Sequence, residues 1–210
     1  MKKISAVIPA YNEEEQIASI IYKTKRFIDE VLVINDCSDD KTAELAANAG
    51  ARVISNDKNI GYIECIKKGF RNVQGDIIIT LDADGEHMPE EIPNLLKPIL
   101  EDEADLVLGN RRRIPRVSER FLNWLTNSKI KIKDSGTGFR AIKKKLSLKL
   151  NLKGSCTCGI FVLEAASHGA KIVEVPITIR YINKRRKIAW RHLFQLFYVL
   201  SWLKFRHRKF

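Results

Sequence analysis

Over its first 110 residues the chain alternates short apolar runs with segments of helical period, and this alternation constrains the fold more than any other feature. An apolar run at 4–8 stops at Pro9. Residues 13–28 then place apolar side chains at 17, 20, 21, 27 and 28, one face of a helix, with acids in its first turn. Runs at 31–34, 52–54, 76–81 and 105–108 read as further strands, and 40–49, 60–73 and 89–100 as the helices between them. Strands that alternate with helices need crossover connections. The expected architecture is therefore α/β, Rossmann-like, with a mainly parallel sheet covered on both faces.

The second half is less regular. It predicts helices at 118–130 and 159–168 and strands at 138–142 and 171–179, with Pro176 marking an edge or a bend. A final helix follows over 188–205, rich in aromatics. No repeat or long linker divides the chain, so 1–210 reads as one domain. Within it, 1–110 forms one half, 111–187 a second, and 188–210 a C-terminal amphipathic helix with a basic tail.

Charge separates the two halves. Residues 1–110 hold 12 Lys/Arg and 21 Asp/Glu, a net of −9, whereas 111–210 hold 25 and 4, a net of +21. A basic half of this size suits a polyanionic partner (nucleic acid, an anionic membrane or a phosphorylated substrate), the other reading being a solvated lysine-rich surface. No apolar run approaches the roughly 18 residues of a spanning helix. The N-terminal apolar stretch is short for a signal peptide, which makes the cytosol the expected compartment. Cys37, Cys65, Cys156 and Cys158 lack paired C-x-x-C spacing and read as reduced structural thiols.

In a parallel sheet, ligands sit beyond the carboxyl ends of the strands. Three polar clusters fall there: Pro9 to Glu13, Asn35 to Asp40, and Asp82 to His87. A bare D-x-D triplet such as Asp82-Ala83-Asp84 carries little information. Directly after an unbroken apolar strand, its two carboxylates together with Glu86 offer hard oxygen ligands for Mg²⁺ or Mn²⁺, ions that bridge substrate phosphates. Exposed loop aspartates are the other reading of the pair.

VIPAYNEE at 7–14, VINDCSDDKT at 33–42, NIG at 59–61 and GDIIITLDAD at 75–84 resemble, in order, the signatures of inverting family 2 glycosyltransferases. DGEHMPE at 84–90, GNR at 109–111, DSGTGFR at 134–140 and EVPI at 174–177 resemble its polyprenyl-phosphate branch, which contains the dolichyl-phosphate mannose and glucose synthases. The resemblance spans 4–180. It implies a glycosyltransferase A-type fold and transfer of a hexose, with inversion, from a nucleotide-diphosphate sugar to a polyprenyl (dolichyl) phosphate. Pro9, Tyr11, Glu13 and Asp36 would line the nucleoside pocket. Asp82, Ala83 and Asp84 would meet the donor diphosphate, and Asp82, Asp84 and Glu86 would hold the ion. Arg111 would stand near the phosphates, and Arg111, Arg120 and Arg180 would face the acceptor phosphate. Glu86 falls where relatives often have glutamine.

Asp84, Asp134 and Arg111 are the expected catalytic residues. Asp134 has two readings: it orients or deprotonates an acceptor, or it anchors the turn at 135–138. A lipid-phosphate acceptor is already an anion and needs no strong base. Trp190 and Trp202 and the basic flanks of 188–210 suit a helix at a membrane interface; the other reading is a helix docked on the core. The expected place of action is peripheral, at the cytoplasmic face of a membrane. A sugar hydroxyl is the alternative acceptor. A sugar-phosphate nucleotidyltransferase would need glycines after the first strand, where the chain has none. A nucleic-acid partner is not expected, because it leaves Asp82 and Asp84 unexplained.

Overall fold

The computed structural model describes residues 2–112, 114, 116–180 and 189–205. The strands are β1 (Ile4–Ala10), β2 (Glu30–Asn35), β3 (Arg52–Ser55), β4 (Ile77–Thr80), β5 (Leu106–Arg111), β6 (Arg140–Lys143) and β7 (Ile172–Ile177). They form one sheet in the order β3-β2-β1-β4-β6-β5-β7, in which β6 alone runs antiparallel to its neighbours. The helices are α1 (Ile17–Thr24), α2 (Thr42–Asn48), α3 (Tyr62–Asn72), α4 (Ile92–Leu100), α5 (Val117–Asn127), α6 (Lys144–Ser147), α7 (Ile160–Ser167) and α8 (Ala189–Phe205), with a short 3₁₀ turn, Pro89–Glu91, leading into α4.

Alternate residues of each strand enter opposite cores. Ala6, Ile8, Val31, Val33, Ile77 and Ile79 pack with α1 and α4, while Val7, Leu32, Ile34 and Ile78 pack with α3 and α7. Both faces are thus covered, as continuous apolar runs require. β7 is an edge strand, which accommodates Pro176.

β1 continues through Pro9, two residues past the expected end. In a parallel strand, alternate residues bond to alternate neighbours. The Val7 carbonyl accepts from Leu81 N (3.3 Å) and the Ala10 carbonyl from Asp36 N (2.8 Å), so residue 9 faces the β4 side. The last β1–β4 pair is Val7 with Thr80, so Pro9 lies beyond the ladder and its missing N–H costs nothing. Helix α1 starts later than its periodicity suggests, because residues 13–16 form a turn rather than a helix.

A third cluster lies outside the sheet, where Leu122 and Leu125 of α5, Ile160 and Leu163 of α7, and Val199 and Trp202 of α8 pack together. The inner face of α8 is His192, Gln195, Val199 and Trp202, all buried. Its outer face is not polar: Leu193, Phe194, Phe197 and Leu200 are exposed. The helix is therefore docked and yet apolar on its free side, a departure from the amphipathic pattern expected. The basic run 184–187 and the tail 206–210 lie outside the described residues. Among the described residues no helix is long and apolar enough to cross a membrane.

Candidate active site

Apart from Arg120, the candidate residues lie at or beyond one edge of the sheet. β1, β2, β4, β5 and β7 end there, and antiparallel β6 begins there, so the segment 134–139 arrives beside Asp82 and Arg111.

The first two loops are stitched together. Asn12 N donates to Ser38 Oγ (3.0 Å), Asp39 N to Asn12 Oδ1 (3.0 Å) and Glu13 N to Thr42 Oγ1 (2.8 Å). Tyr11 stands exposed beside them, with Pro9 and Glu13 half-buried. Asp36 is buried and accepts from Asn56 Nδ2 (2.9 Å), Ile60 N (2.8 Å) and Gly61 N (2.8 Å). Burial pushes its carboxyl up, but these three hydrogen bonds outweigh it and hold the group below the usual carboxylate range. Asp36 thereby fixes the 59–61 loop across from β1.

Asp82 is partly exposed and accepts from the Tyr62 hydroxyl (3.0 Å). Its backbone N–H donates to His87 Nδ1 (3.0 Å), which sets the imidazole as the Nε2-protonated neutral tautomer. Burial also pushes the His87 pKa down, against the pull of Asp82, and the ring stacks on Phe139 at 5.1 Å. Asp84 is buried and its Oδ1 accepts from Glu86 N (3.0 Å). Ala83 packs its methyl into the core, leaving only its backbone for a ligand. The Glu86 carboxyl is raised, first by burial and then by the nearby negative charge of Asp82.

The cluster fits a divalent ion. Its donors are hard oxygens, and the crowding of negative charge at Asp82 and Glu86 is relieved by a cation. The space beside Asp82 is kept open by Gly138, where a Cβ would stand 2.8 Å from Asp82 Oδ2.

Arg111 is buried between two acids. Its Nε and Nη2 donate to Asp134 (2.7 and 3.0 Å) and Nη2 also to Glu119 (3.0 Å). Burial lowers its pKa, but Asp134 and Glu119 more than offset this and keep it charged. Nη1 has no hydrogen-bond partner among the described residues. Asp134 also accepts from Arg111 N (3.2 Å) and Gly136 N (3.1 Å), so its two oxygens carry four hydrogen bonds. It anchors both the arginine and the turn, and has no lone pair left for a substrate proton.

Arg180 N donates to the Glu86 carbonyl (2.9 Å), which brings the segment after β7 alongside the carboxylate cluster. Arg120 is exposed on α5 and has no side-chain contact with the cluster among the described residues. Tyr62 and Glu119 escaped sequence reasoning, whereas His87 and Arg140 stood inside the segments singled out at 82–87 and 134–140 with no role given to either. Arg140 is wholly buried, 4.3 Å above the Phe161 ring, with Nη2 donating to Thr157 Oγ1 (3.0 Å) and with Nε and Nη1 unpartnered among the described residues. Its place in the motif at 134–140 was the only signal available for it.

Comparison with known proteins agrees with this architecture. Glucosyl-3-phosphoglycerate synthase from Mycobacterium tuberculosis, crystallised with Mn²⁺, UDP-glucose and phosphoglyceric acid, superposes with a TM-score of 0.79 over 95% of this chain and 79% of that one, at 24% identity. That likeness carries the fold, and the fold class is glycosyltransferase A-type. The glycosyl transferase family 2 model matches residues 5–164, and the chain belongs to that family. An uncharacterised protein of Methanocaldococcus jannaschii is 30% identical over 200 residues, covering 85% of this chain and 82% of its own length. An undecaprenyl-phosphate 4-deoxy-4-formamido-L-arabinose transferase of Salmonella paratyphi B is 39% identical over 125 residues, 54% of this chain and 38% of its own length.

Proposed function

We propose that the protein transfers a hexose from a nucleotide-diphosphate sugar to a polyprenyl phosphate, with inversion, at a membrane surface. The observation that carries this reading is the double role of α5. On one side Glu119 grips Arg111; on the other Val117, Phe121 and Trp124 lie exposed, with the two rings stacked at 5.6 Å. α8 packs against α5 and adds Leu193, Phe194, Phe197 and Leu200 to the exposed apolar surface. An anion-binding arginine and an exposed aromatic surface, joined by one helix, suit an acceptor with a phosphate head and a hydrocarbon tail.

The donor reading rests on the carboxylate edge. Asp82, Asp84 and Glu86 would hold Mg²⁺ or Mn²⁺, which neutralises the departing diphosphate when bound. Tyr11 and the Asp36-fixed loop 59–61 would frame the nucleoside. Arg111, kept charged and immobile by Asp134 and Glu119, would present Nη1 to developing phosphate charge without reorganising. Asp134 acts through Arg111 rather than as a base, and a phosphate acceptor needs none, its oxygen being an anion at neutral pH. The enzyme would act peripherally, at the cytoplasmic face of the membrane that holds its acceptor. The relatives support it in kind, since one is an undecaprenyl-phosphate sugar transferase.

An acceptor panel tests the proposal: a polyprenyl phosphate, the polyprenol of the same length, and a small hydroxyl acceptor, each with UDP- and GDP-hexoses and Mn²⁺. Transfer confined to the lipid phosphate is expected. Equal or faster transfer to either hydroxyl acceptor would overturn the acceptor class.

A further inference from the structure

The loop 154–159 carries a feature that glycosyl transfer does not use. Cys156 and Cys158, read from the sequence as reduced structural thiols, meet His192 of α8, 34 residues beyond Cys158 in the chain. The two sulfurs and a ring nitrogen all lie within 4.8 Å of one another. Cys158 and His192 are buried and Cys156 is half-buried. We propose that Cys156, Cys158 and His192 form a zinc site that fastens α8 to the edge of the sheet.

The donor set selects the ion. Two thiolates and one imidazole are soft-to-borderline ligands that suit Zn²⁺ and not the Mg²⁺ or Mn²⁺ of an oxygen site. Zinc at about 2.3 Å from sulfur and about 2.0 Å from nitrogen holds its ligand atoms about 3.5–3.8 Å apart in a tetrahedron. The Cys158 Sγ to His192 Nε2 separation is 4.0 Å and all three donor atoms lie within 4.8 Å of one another, so a contraction of at most about 1 Å closes the site. Two thiol protons leave to solvent as the ion enters, and a water completes the fourth position.

The surroundings are built for ligation. Ser118 Oγ lies 2.7 Å from His192 Nδ1, which fixes the ring and leaves the Nε2 lone pair for a metal when Nδ1 carries the proton. The loop's backbone is held by Gln195, one turn along α8: Oε1 accepts from Ser155 N (2.9 Å) and Cys156 N (3.2 Å), and Nε2 donates to the Cys158 carbonyl (3.4 Å). Gly154 opens the loop at φ +109°, and any Cβ there would run into the Gln195 amide. Between the cysteines, Thr157 accepts from Arg140. Three elements, the loop before α7, α5 through Ser118 and α8, thus converge on one point. An ion there would brace the exposed α5–α8 surface against the sheet edge.

The test uses the full chain, reduced, stripped of metal and titrated with Co²⁺. A thiolate-to-cobalt charge-transfer absorption that saturates at one ion per chain and is displaced by Zn²⁺ is expected. It should vanish in Cys156→Ser and Cys158→Ser and persist in Cys65→Ser. Ser118→Ala should weaken zinc binding about 10- to 100-fold, the usual effect of losing a partner that orients a ligand. Zinc should raise the Tm of the wild type. Should the cysteine variants not fold, the wild-type spectrum decides alone, because the band reports sulfur ligation directly. Absence of the band in folded, reduced protein, or its survival in both cysteine variants, would overturn the site. So would a Cys156–Cys158 disulfide, found by mass in metal-free protein purified without reductant from a reducing compartment.

Discussion

At the scale of single residues, the carboxylates differ in how they are held. Asp36 accepts three hydrogen bonds and Asp134 four from the protein itself. Asp84, whose Oδ1 accepts from Glu86 N, is a proposed ligand of the donor's ion. Asp84→Asn keeps an oxygen that can accept from Glu86 N, so the fold should persist, while transfer falls about 10²- to 10³-fold, the scale of losing one preorganised electrostatic group. Near-normal turnover at physiological metal concentration would remove Asp84 from the ion site. For Asp134 the expectation is reversed. Asp134→Ala strands the buried Arg111 charge and should cost about 3–5 kcal/mol in chemical denaturation, as breaking a buried pair usually does; a cost under about 1 kcal/mol would contradict the clamp. Asp36 sets a pH dependence. Its folded pKa lies below the ordinary value of 3.8, so its contribution is complete above that value and is lost as pH falls through the folded one. Asp36→Asn should flatten this acid limb of a stability-against-pH curve, and an unchanged limb would assign it to other groups.

At the scale of elements, the sequence revealed most where one physical signal dominated. The strands of the first half announced themselves as apolar runs, because a strand buried on both faces can carry little else. The carboxylate cluster was legible for the same reason, since Ile77–Thr80 fixes where Asp82 must emerge. Contacts made by strand order were not legible. The insertion of β6 between β4 and β5 brings Asp134 to Arg111 and Gly138 to Asp82, and no local pattern encodes it. The convergence of Cys156, Cys158 and His192 was hidden likewise. For α8, a docked helix and an interfacial helix stood as alternatives in the sequence, yet the packing gives it a buried face and an apolar free face at once. Val199 is 0% exposed, whereas Phe194 and Phe197 are 64% and 65% exposed. Substitutions on the two faces should therefore separate. Trp202→Ala, which also removes a hydrogen bond of 2.6 Å to Glu164, should cost about 3–5 kcal/mol of stability. Phe194→Ser with Phe197→Ser should leave stability within about 0.5 kcal/mol per site while reducing sedimentation with anionic liposomes. Liposome binding that survives the double substitution would assign membrane contact to another surface.

At the scale of the whole molecule, the charge division acquires a physical form. The basic half contains only four acids, Glu119, Asp134, Glu164 and Glu174. The first three are buried, and Glu174 accepts from Lys133 N and Asp134 N at 2.8 Å each. Every acid of that half is thus tied to internal structure, which leaves its outer charge almost wholly positive beside the exposed aromatics of α5 and α8. Under the proposed function, such a surface would draw an anionic membrane and a phosphate head group. The proposed reaction joins the anomeric carbon of a hexose to a lipid phosphate oxygen. Phosphorus NMR of polyprenyl phosphate in vesicles, incubated with enzyme, Mn²⁺ and a nucleotide hexose, reads that bond directly. The expected result is conversion of the lipid phosphomonoester resonance to a phosphodiester, in step with release of nucleoside diphosphate. Nucleoside diphosphate released with the lipid phosphomonoester unchanged, the hexose appearing on a hydroxyl, would contradict it.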